Sequence, residues 1–531
     1  MKSERSESRR DFLRKSALAS VFTMVNGGLN LNFITGPYSG NGNPVFSFPE
    51  EGMMMAGFAE LDITPEIGME QPGGYGKSYH RSVHDPCKVR ASVMNDGVRR
   101  VAIVGVDALV VPRPLVETVR KQINDRCGIP PEAILIGASH SHSSGPTGMI
   151  LPGEYDHADP FVRSLAYEKS SCADASYLKM LEKQIVEAVC QADTSKVEVK
   201  MGIGIGTEST VAFNRRFRMK NGLTFTHPRQ NNHDILEVAG PIDPDVGVIG
   251  VWNSEGKCIG CVVNYACHAT TSPGGISASW IYYMEQTIRG AMGQECIVVF
   301  LQGASGDVTQ VNNLNPNLEL TGEASARFVG AKIGAEAVKV LLSIPQGTMA
   351  PVDARTRMIE IQRRKPDPER VKKCIEMVKK SPKEVGETEW LFAKEIVLLD
   401  AILKKEPVAY AEIQVIQVGP AVFVSNPAEF FCQLGLDIKK QSPFKYTFPV
   451  ELANGCIGYV PTEEAFGPGG GGYETRLTAY SNMVPQAGNM IVKAGVDMAK
   501  QLKPGAEPEF QKAIVFNGKP WDYGSVKPEL K

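Results

Sequence analysis

From residue 54 onward, short apolar runs rich in β-branched residues alternate with stretches whose apolar positions recur every three or four residues. The first pattern suits strands covered on both faces, and the second suits the helices that cover them. Residues 101–111 read as a buried strand and 114–126 as a helix stopped by Gly128. Residues 133–136 read as another buried strand. Residues 246–252 and 257–265 flank the turn-forming Asn253-Ser254-Glu255-Gly256 and read as a hairpin. A strand is expected over 295–301, a long helix over 323–344, strands within 411–425 and a closing helix over 490–502. The charged stretch 367–405 reads as two helices on the outside of the sheet. This interleaving specifies an α/β protein, a layered mixed β-sheet flanked by helices in a single large domain. No repeat or linker divides 54–510.

Composition narrows the function classes. The 531 residues carry 57 Lys and Arg against 59 Asp and Glu, so the basic face of a nucleic-acid binder is not expected. No apolar run reaches the ~18 residues of a transmembrane helix. Eleven cysteines cannot all pair, and a disulfide framework is not indicated. Residues 1–30 are unlike the body. Arg9-Arg10 precede Phe12-Leu13 and a weakly apolar stretch over 16–25, which together read as a twin-arginine-type export signal. Residues 31–53, rich in Gly, Asn and Pro, read as a flexible leader. Export of a folded chain implies a periplasmic or secreted protein whose metal site could be loaded before transit.

The sharpest feature is Ser139-His140-Ser141-His142-Ser143-Ser144-Gly145-Pro146, which follows a buried strand and holds two of the eight histidines. In an extended segment, residues two apart point to one side, so both imidazoles can reach one pocket. Neutral imidazole is the commonest zinc ligand, and a catalytic zinc takes about three protein ligands plus water. A histidine of the pair left free of metal could serve as base or oxyanion stabiliser. Taken alone, the pair fits a polar loop equally well. His268, however, follows the second hairpin strand in Tyr265-Ala266-Cys267-His268-Ala269-Thr270-Thr271, and Gly306-Asp307-Val308-Thr309 follows another strand. Strand ends are where open α/β sheets place ligand sites, so three such loops point to one convergent site. Cys258, Cys261 and Cys267 lack the second Cys-X-X-Cys of a zinc ribbon and read as buried thiols. Gly202-Ile203-Gly204-Ile205-Gly206 lacks the lysine and the helix of a phosphate loop. Gly467-Pro468-Gly469-Gly470-Gly471-Gly472-Tyr473 reads either as a mobile flap or as a linker.

Taken in order, Asp62-Ile63-Thr64-Pro65, the histidine-pair run, Asn214-Arg215-Arg216, the His268 run and Gly306-Asp307-Val308-Thr309 form the first part of a larger pattern. Asn426-Pro427-Ala428-Glu429-Phe430 and Asn454-Gly455-Cys456-Ile457-Gly458-Tyr459-Val460-Pro461-Thr462 complete it. The set resembles the catalytic domain of the neutral (non-lysosomal) ceramidase family over roughly residues 54–500. The resemblance implies zinc held by His140, His268, Glu429 and Tyr459, and hydrolysis of an amide by zinc-activated water. It implies that His142 contacts the substrate carbonyl or relays protons, and that Tyr473 is a second site tyrosine. Arg215 is the implied site arginine, with Arg216 competing for the role. Thr309 stands where the family has a serine, which keeps a hydroxyl and adds a methyl.

The expected organisation is a signal over 1–30, a leader over 31–53, a ceramidase-like catalytic domain over 54–505 and a tail over 506–531. The family's C-terminal immunoglobulin-like domain has no expected counterpart, since about 30 residues follow the closing helix. The implied function is an exported zinc-dependent hydrolase of a small-molecule or lipid amide, an N-acyl sphingoid or similar. The charged residues of 363–406 offer no apolar entrance for a two-chain lipid, so zinc hydrolysis is better supported than ceramide as the substrate. One alternative keeps the metal site but cleaves a non-lipid amide, ester or lactone, including carbohydrate-linked ones. Another is an inactive protein that retains the pocket for binding.

Overall fold

Strands with two faces to bury stack into two layers of sheet between two layers of helix. In the computed structural model the described residues are 53–315, 321–510, 512–513, 515–524 and 526–531. The signal expected over 1–30, and all but the last residue of the leader expected over 31–53, lie outside the described residues. The main sheet runs in the order Ile297–Gln302, Cys258–Tyr265, Asp245–Asn253, Val197–Thr207, Met55–Asp62, Lys88–Asn95, Arg100–Val106, Ile134–Ala138. It is antiparallel through the middle and parallel at both ends. Met55–Asp62 and Val197–Thr207 share only two residue pairs, and there the sheet folds so that its halves face each other. The halves touch closely: a Cβ on Gly105 would lie 2.4 Å from the Phe300 carbonyl oxygen, so glycine is required for the approach.

Helices Arg113–Cys127 and Ala175–Thr194 cover the first half, and Trp280–Met292 with Gly322–Ser343 cover the second. Pro114 starts the first helix, Gly128 ends it at φ 67°, and Leu115, Val116, Val119 and Ile123 form its buried stripe. Asp174 caps the second by accepting from the Ser176 and Tyr177 amides. A smaller sheet, Val352–Gln362, Val408–Val418, Ala421–Ser425 and Tyr446–Val450, joins the same core through Ile416, Phe423, Phe448 and Val450. Its far face is covered by Cys432–Gln441 and Ala487–Ala499. The Glu451 amide donates to Gln302 O and the Ala138 amide to Leu452 O, which draws three strand ends together. After the last helix, Glu507 is still tied to Lys445 and Tyr446. Among the described residues no helix is long and apolar enough to cross a membrane.

Two local expectations need correction. The charged stretch holds three helices, Pro368–Val378, Pro382–Val385 and Glu387–Lys405, and they do not lie on the sheet. Their apolar stripe, including Val371, Ile396 and Ile402, packs on Ile150, Tyr155 and Leu165 in a satellite core. The strand expected over 101–111 ends at Val106 because Asp107 leaves the ladder for a buried ion network. There Arg90 Nη1 donates to Asp107 Oδ2 at 2.8 Å, and Arg90 Nη2 pairs with Glu285. Lys88 and Arg289 also reach Glu285, at 3.0 and 3.1 Å. Burial opposes ionisation of Glu285, but Arg90, Lys88 and Arg289 outweigh it and hold the carboxyl at about 2, below its usual 4.5.

Because the folded value is depressed, this carboxylate stabilises the fold above the unfolded value near 4.5 and loses that effect as pH falls towards about 2. Removing one partner strands the others in the interior, so Glu285→Gln should lower stability by about 3–5 kcal/mol near neutral pH. Denaturant unfolding at pH 7 and at pH 3 checks this; the gap between variant and parent should narrow at the lower pH.

Candidate metal centre

The loop after Ile134–Ala138 carries His140 and His142, but not as extended backbone. His140 sits at φ 60°, in the left-handed region, and that turn brings the two rings together. Their Nε2 atoms are 3.2 Å apart and the rings meet edge to face with centroids 4.7 Å apart. His268 enters from the loop after Cys258–Tyr265, with its centroid 4.7 Å from that of His140. Nitrogens of all three histidines lie within 4.8 Å of one another. The fourth member comes from the register of a short parallel pair. Glu429 aligns with Tyr459, so both side chains leave the pair on one side.

The tautomers follow from the partners. His140 Nδ1 lies 3.0 Å from Leu109 O, and His268 Nδ1 lies 2.7 Å from Ser305 O. A carbonyl can only accept, so each Nδ1 carries a proton, and with the rings neutral each Nε2 presents a lone pair. Both lone pairs face Glu429 Oε2, at 3.3 Å from His140 and 3.2 Å from His268. That oxygen is buried and receives no hydrogen bond. A buried carboxylate oxygen that receives no hydrogen bond and is faced by two imidazole nitrogens calls for a cation, and mixed imidazole and carboxylate ligands are those a transition metal takes.

The groups of the cluster shift in opposite directions. Burial, then Arg215, push His268 down to about 4. Burial and the two neighbouring imidazoles hold His142 well below the usual histidine range. Burial also works against a charged His140, yet the Glu429 carboxylate prevails and raises it. Burial would raise Glu429, but His140 and His268 overcome it and keep the carboxyl well below its usual range.

Of the competing arginines, Arg215 faces the cluster. It donates through Nε to Glu474 Oε1 (2.9 Å), through Nη2 to Gly306 O (2.7 Å) and Tyr459 Oη (3.1 Å), and its Nη1 is 3.2 Å from His268 Nε2. Arg216 turns away, donating to Gly471 O and lying over the Phe431 ring. Tyr473 is brought in as well, its hydroxyl 2.7 Å from that of Tyr459. The glycine-rich segment before it is neither free flap nor linker. Thr224 bonds Gly469 O and Gly470 O and pins it to a small sheet. Two residues of the third strand-end loop make their side-chain hydrogen bonds outside the cluster. Asp307 accepts from Asn214 Nδ2 and the Cys432 amide, which fixes loops instead. The Thr309 hydroxyl donates to Gln310 Oε1 at 3.1 Å.

Three features escape a reading of the sequence. Glu474, fully buried, joins Arg215 to Thr226. Glu451 accepts from Ser305 Oγ and the Phe430 amide behind the cluster, and burial raises it to about 8. Its signal is a lone carboxylate in the apolar run Phe448-Pro449-Val450-Glu451-Leu452. Gln71 donates to His142 O, and Gly73, at φ 101°, leans on the His142 ring, where a Cβ would come within 2.2 Å of Nδ1.

No protein-family model matches the chain, and no curated protein sequence matches it. Solved structures do. A ceramidase complexed with C2 superposes with a TM-score of 0.62 at 17% identity, over 86% of this chain and 77% of that one. The neutral ceramidase from Pseudomonas aeruginosa gives 0.61 at 17% identity, over 87% and 77%. The layered sheets and the flanking helices thus form a ceramidase-like fold.

Proposed function

We propose that the protein is an exported zinc-dependent hydrolase that cleaves an amide, an N-acyl sphingoid or a similar N-acyl compound. The observation that carries the reading is the buried Glu429 Oε2, which receives no hydrogen bond and lies 3.3 and 3.2 Å from the Nε2 atoms of His140 and His268. The ordered motifs and the ceramidase-like fold support the reaction class. His140, His268, Glu429 and Tyr459 are the proposed ligands, within a catalytic domain over 54–505 that a tail over 506–531 follows. Zinc at these donors supplies an acidified water and a polarised carbonyl at neutral pH.

The remaining work falls to the chain's own groups. His142, its Nε2 3.2 Å from that of His140, is placed beside the proposed ligands to take the proton of the attacking water and return it to the leaving amine. Gln71 and Gly73 hold its backbone and ring in place for that transfer. Arg215, fixed by Glu474, keeps the Tyr459 oxygen oriented and places a positive charge beside the developing oxyanion. The Tyr473 hydroxyl, 2.7 Å from that of Tyr459, is placed to donate to the same phenol oxygen. Thr309 supplies a hydroxyl to the substrate carbonyl in exchange for Gln310.

Purified protein should contain about one zinc per chain. His268→Ala should lose most of it, whereas His142→Ala should keep it and lose ~10²-fold in turnover. Metal analysis beside kcat decides between the roles; loss of zinc in the His142 variant makes that residue a ligand.

Thr309→Ser should retain activity and raise it modestly on ceramide-like amides, since one methyl in a pocket discriminates by about 1–3 kcal/mol. Thr309→Val, with the hydroxyl gone at similar volume, should be the damaging change. Comparing kcat/KM of the two variants on one short-chain ceramide checks this.

Export should require the identity of Arg9 and Arg10 and not just their charge, because the signal is read by a receptor. Arg9→Lys with Arg10→Lys should leave the precursor in the cytoplasm. Fractionation checks it, and normal delivery of the double variant points to an ordinary secretory route.

A further inference from the structure

The helix Glu387–Lys405 holds two adjacent charged residues among its buried ones. Lys394 is 1% exposed and Glu395 4%, with Lys394 Nζ 3.3 Å from Glu395 Oε1. Apolar residues of similar volume stabilise a core as well as a buried ion pair does, or better, so packing alone does not account for the pair. Its hydrogen bonds all leave the helix. Lys394 Nζ donates to Tyr75 O (2.6 Å), Ser170 Oγ (2.7 Å) and Lys169 O (3.2 Å), so each of the three ammonium donors has an acceptor. The Glu395 carboxylate accepts from the Ala479 amide.

Tyr75 and Ala479 belong to two segments that border the candidate metal centre. Tyr75 ends the stretch in which Gln71 donates to His142 O and Gly73 leans on the His142 ring. Ala479 lies in the chain between Tyr473, whose hydroxyl meets that of Tyr459, and Tyr480, whose ring meets the Tyr459 ring edge-on at 5.7 Å. The two segments also hold each other, since the Tyr75 hydroxyl bonds the Thr478 side chain. Neighbours of the pair reinforce both holds. The Tyr75 ring lies 6.0 Å from that of Phe392, one turn earlier in the same helix. Arg364, just ahead of the helix Pro368–Val378, donates to Thr475 O (3.0 Å), Ser481 O (3.0 Å) and Met483 O (2.9 Å).

We propose that Lys394 and Glu395 are positioning residues of the site, a latch by which this helix holds segment 71–75 against His142 and segment 473–480 against Tyr459. The proposal rests on the amide-hydrolase reading above and adds what keeps its groups in register. Cutting the latch removes none of the four proposed ligands but lets the groups beside them drift. A misplacement of about 1 Å can lower turnover by ~10²-fold.

The double variant Lys394→Met with Glu395→Leu tests it, because replacing a buried pair by apolar residues is often neutral or stabilising while it removes both holds. Its thermal midpoint should match or exceed that of the parent, and its zinc content should be unchanged. Its kcat on a short-chain ceramide and on a fluorogenic N-acyl aminocoumarin should fall at least about tenfold, with KM within about twofold. Glu395→Gln, which keeps an acceptor for the Ala479 amide, should recover most of the kcat that Glu395→Leu loses. That single-site comparison reads one arm of the latch even if the double variant misfolds. Hydrogen exchange reads the latch without turnover. Amides of 70–79 and 474–483 should exchange at least about tenfold faster in the double variant, and those of the helix Ala175–Thr194 at the parental rate. Unchanged exchange in both segments overturns the latch. Faster exchange with parental kcat, or a loss of kcat that follows loss of zinc, overturns the positioning role. Faster exchange with neither amide cleaved by the parent overturns the hydrolase reading and retains the latch.

Discussion

Two backbone carbonyls determine the character of this site. Leu109 O and Ser305 O each take the Nδ1 proton of a histidine, which turns both Nε2 lone pairs onto Glu429 Oε2. Were either carbonyl displaced by an ångström, the tautomer would be free to change and a donor could satisfy the carboxylate. The positions of those carbonyls are in turn consequences of packing. Leu109 follows Asp107, which is held by Arg90 and the Lys88 amide. Ser305 donates to Glu451, which also takes the Phe430 amide next to Glu429. Buried carboxyl groups behind the cluster thus act as the frame on which its donors are mounted.

The fold places this frame where strand ends meet. Folding of the main sheet onto itself at its two-residue junction brings the strands ending at Ala138 and Gln302, at opposite ends of the hydrogen-bonded order, into one layer stack. The smaller sheet then docks beside them; Glu451 directly follows its strand Tyr446–Val450, and a separate short parallel pair carries Glu429 and Tyr459. Donors separated by hundreds of residues therefore share one buried volume, with little freedom to relax once packed. Rigidity of this kind favours metal binding because few degrees of freedom remain to be lost on ligation.

On one flank the arrangement is tied by polar side chains. Glu474 holds Arg215, Arg215 holds the Tyr459 hydroxyl, and Tyr473 closes the chain. The glycine-rich segment before Tyr473 is pinned by Thr224 and Arg216, so both arginines of the Asn214-Arg215-Arg216 run serve the same region from opposite sides. On the opposite flank, aromatic packing and a thiol replace these charge-assisted bonds at Tyr480. The two borders of the site differ in stiffness for that reason.

The alternation of strands and helices was legible because each element buries one or two faces, and burial leaves a period in the chain. So were several helix stops, among them Gly128 beyond Cys127, since the left-handed cap needs glycine. That His140, His142 and His268 lie at strand ends was legible too. How the donors meet was not. The pair of histidines converges through φ 60° at His140 and not through extended geometry, and nothing local demands that conformation. Arg215 and Arg216 are equivalent in sequence; only the pairing of Val308 with Asn214 decides which one faces His268. The alignment of Glu429 with Tyr459, the recruitment of Glu474 and the packing of 367–405 onto residues 150–167 are likewise decided by contacts between distant segments. Periodicity reports which face of an element is buried, but the partner that buries it is chosen by the tertiary structure.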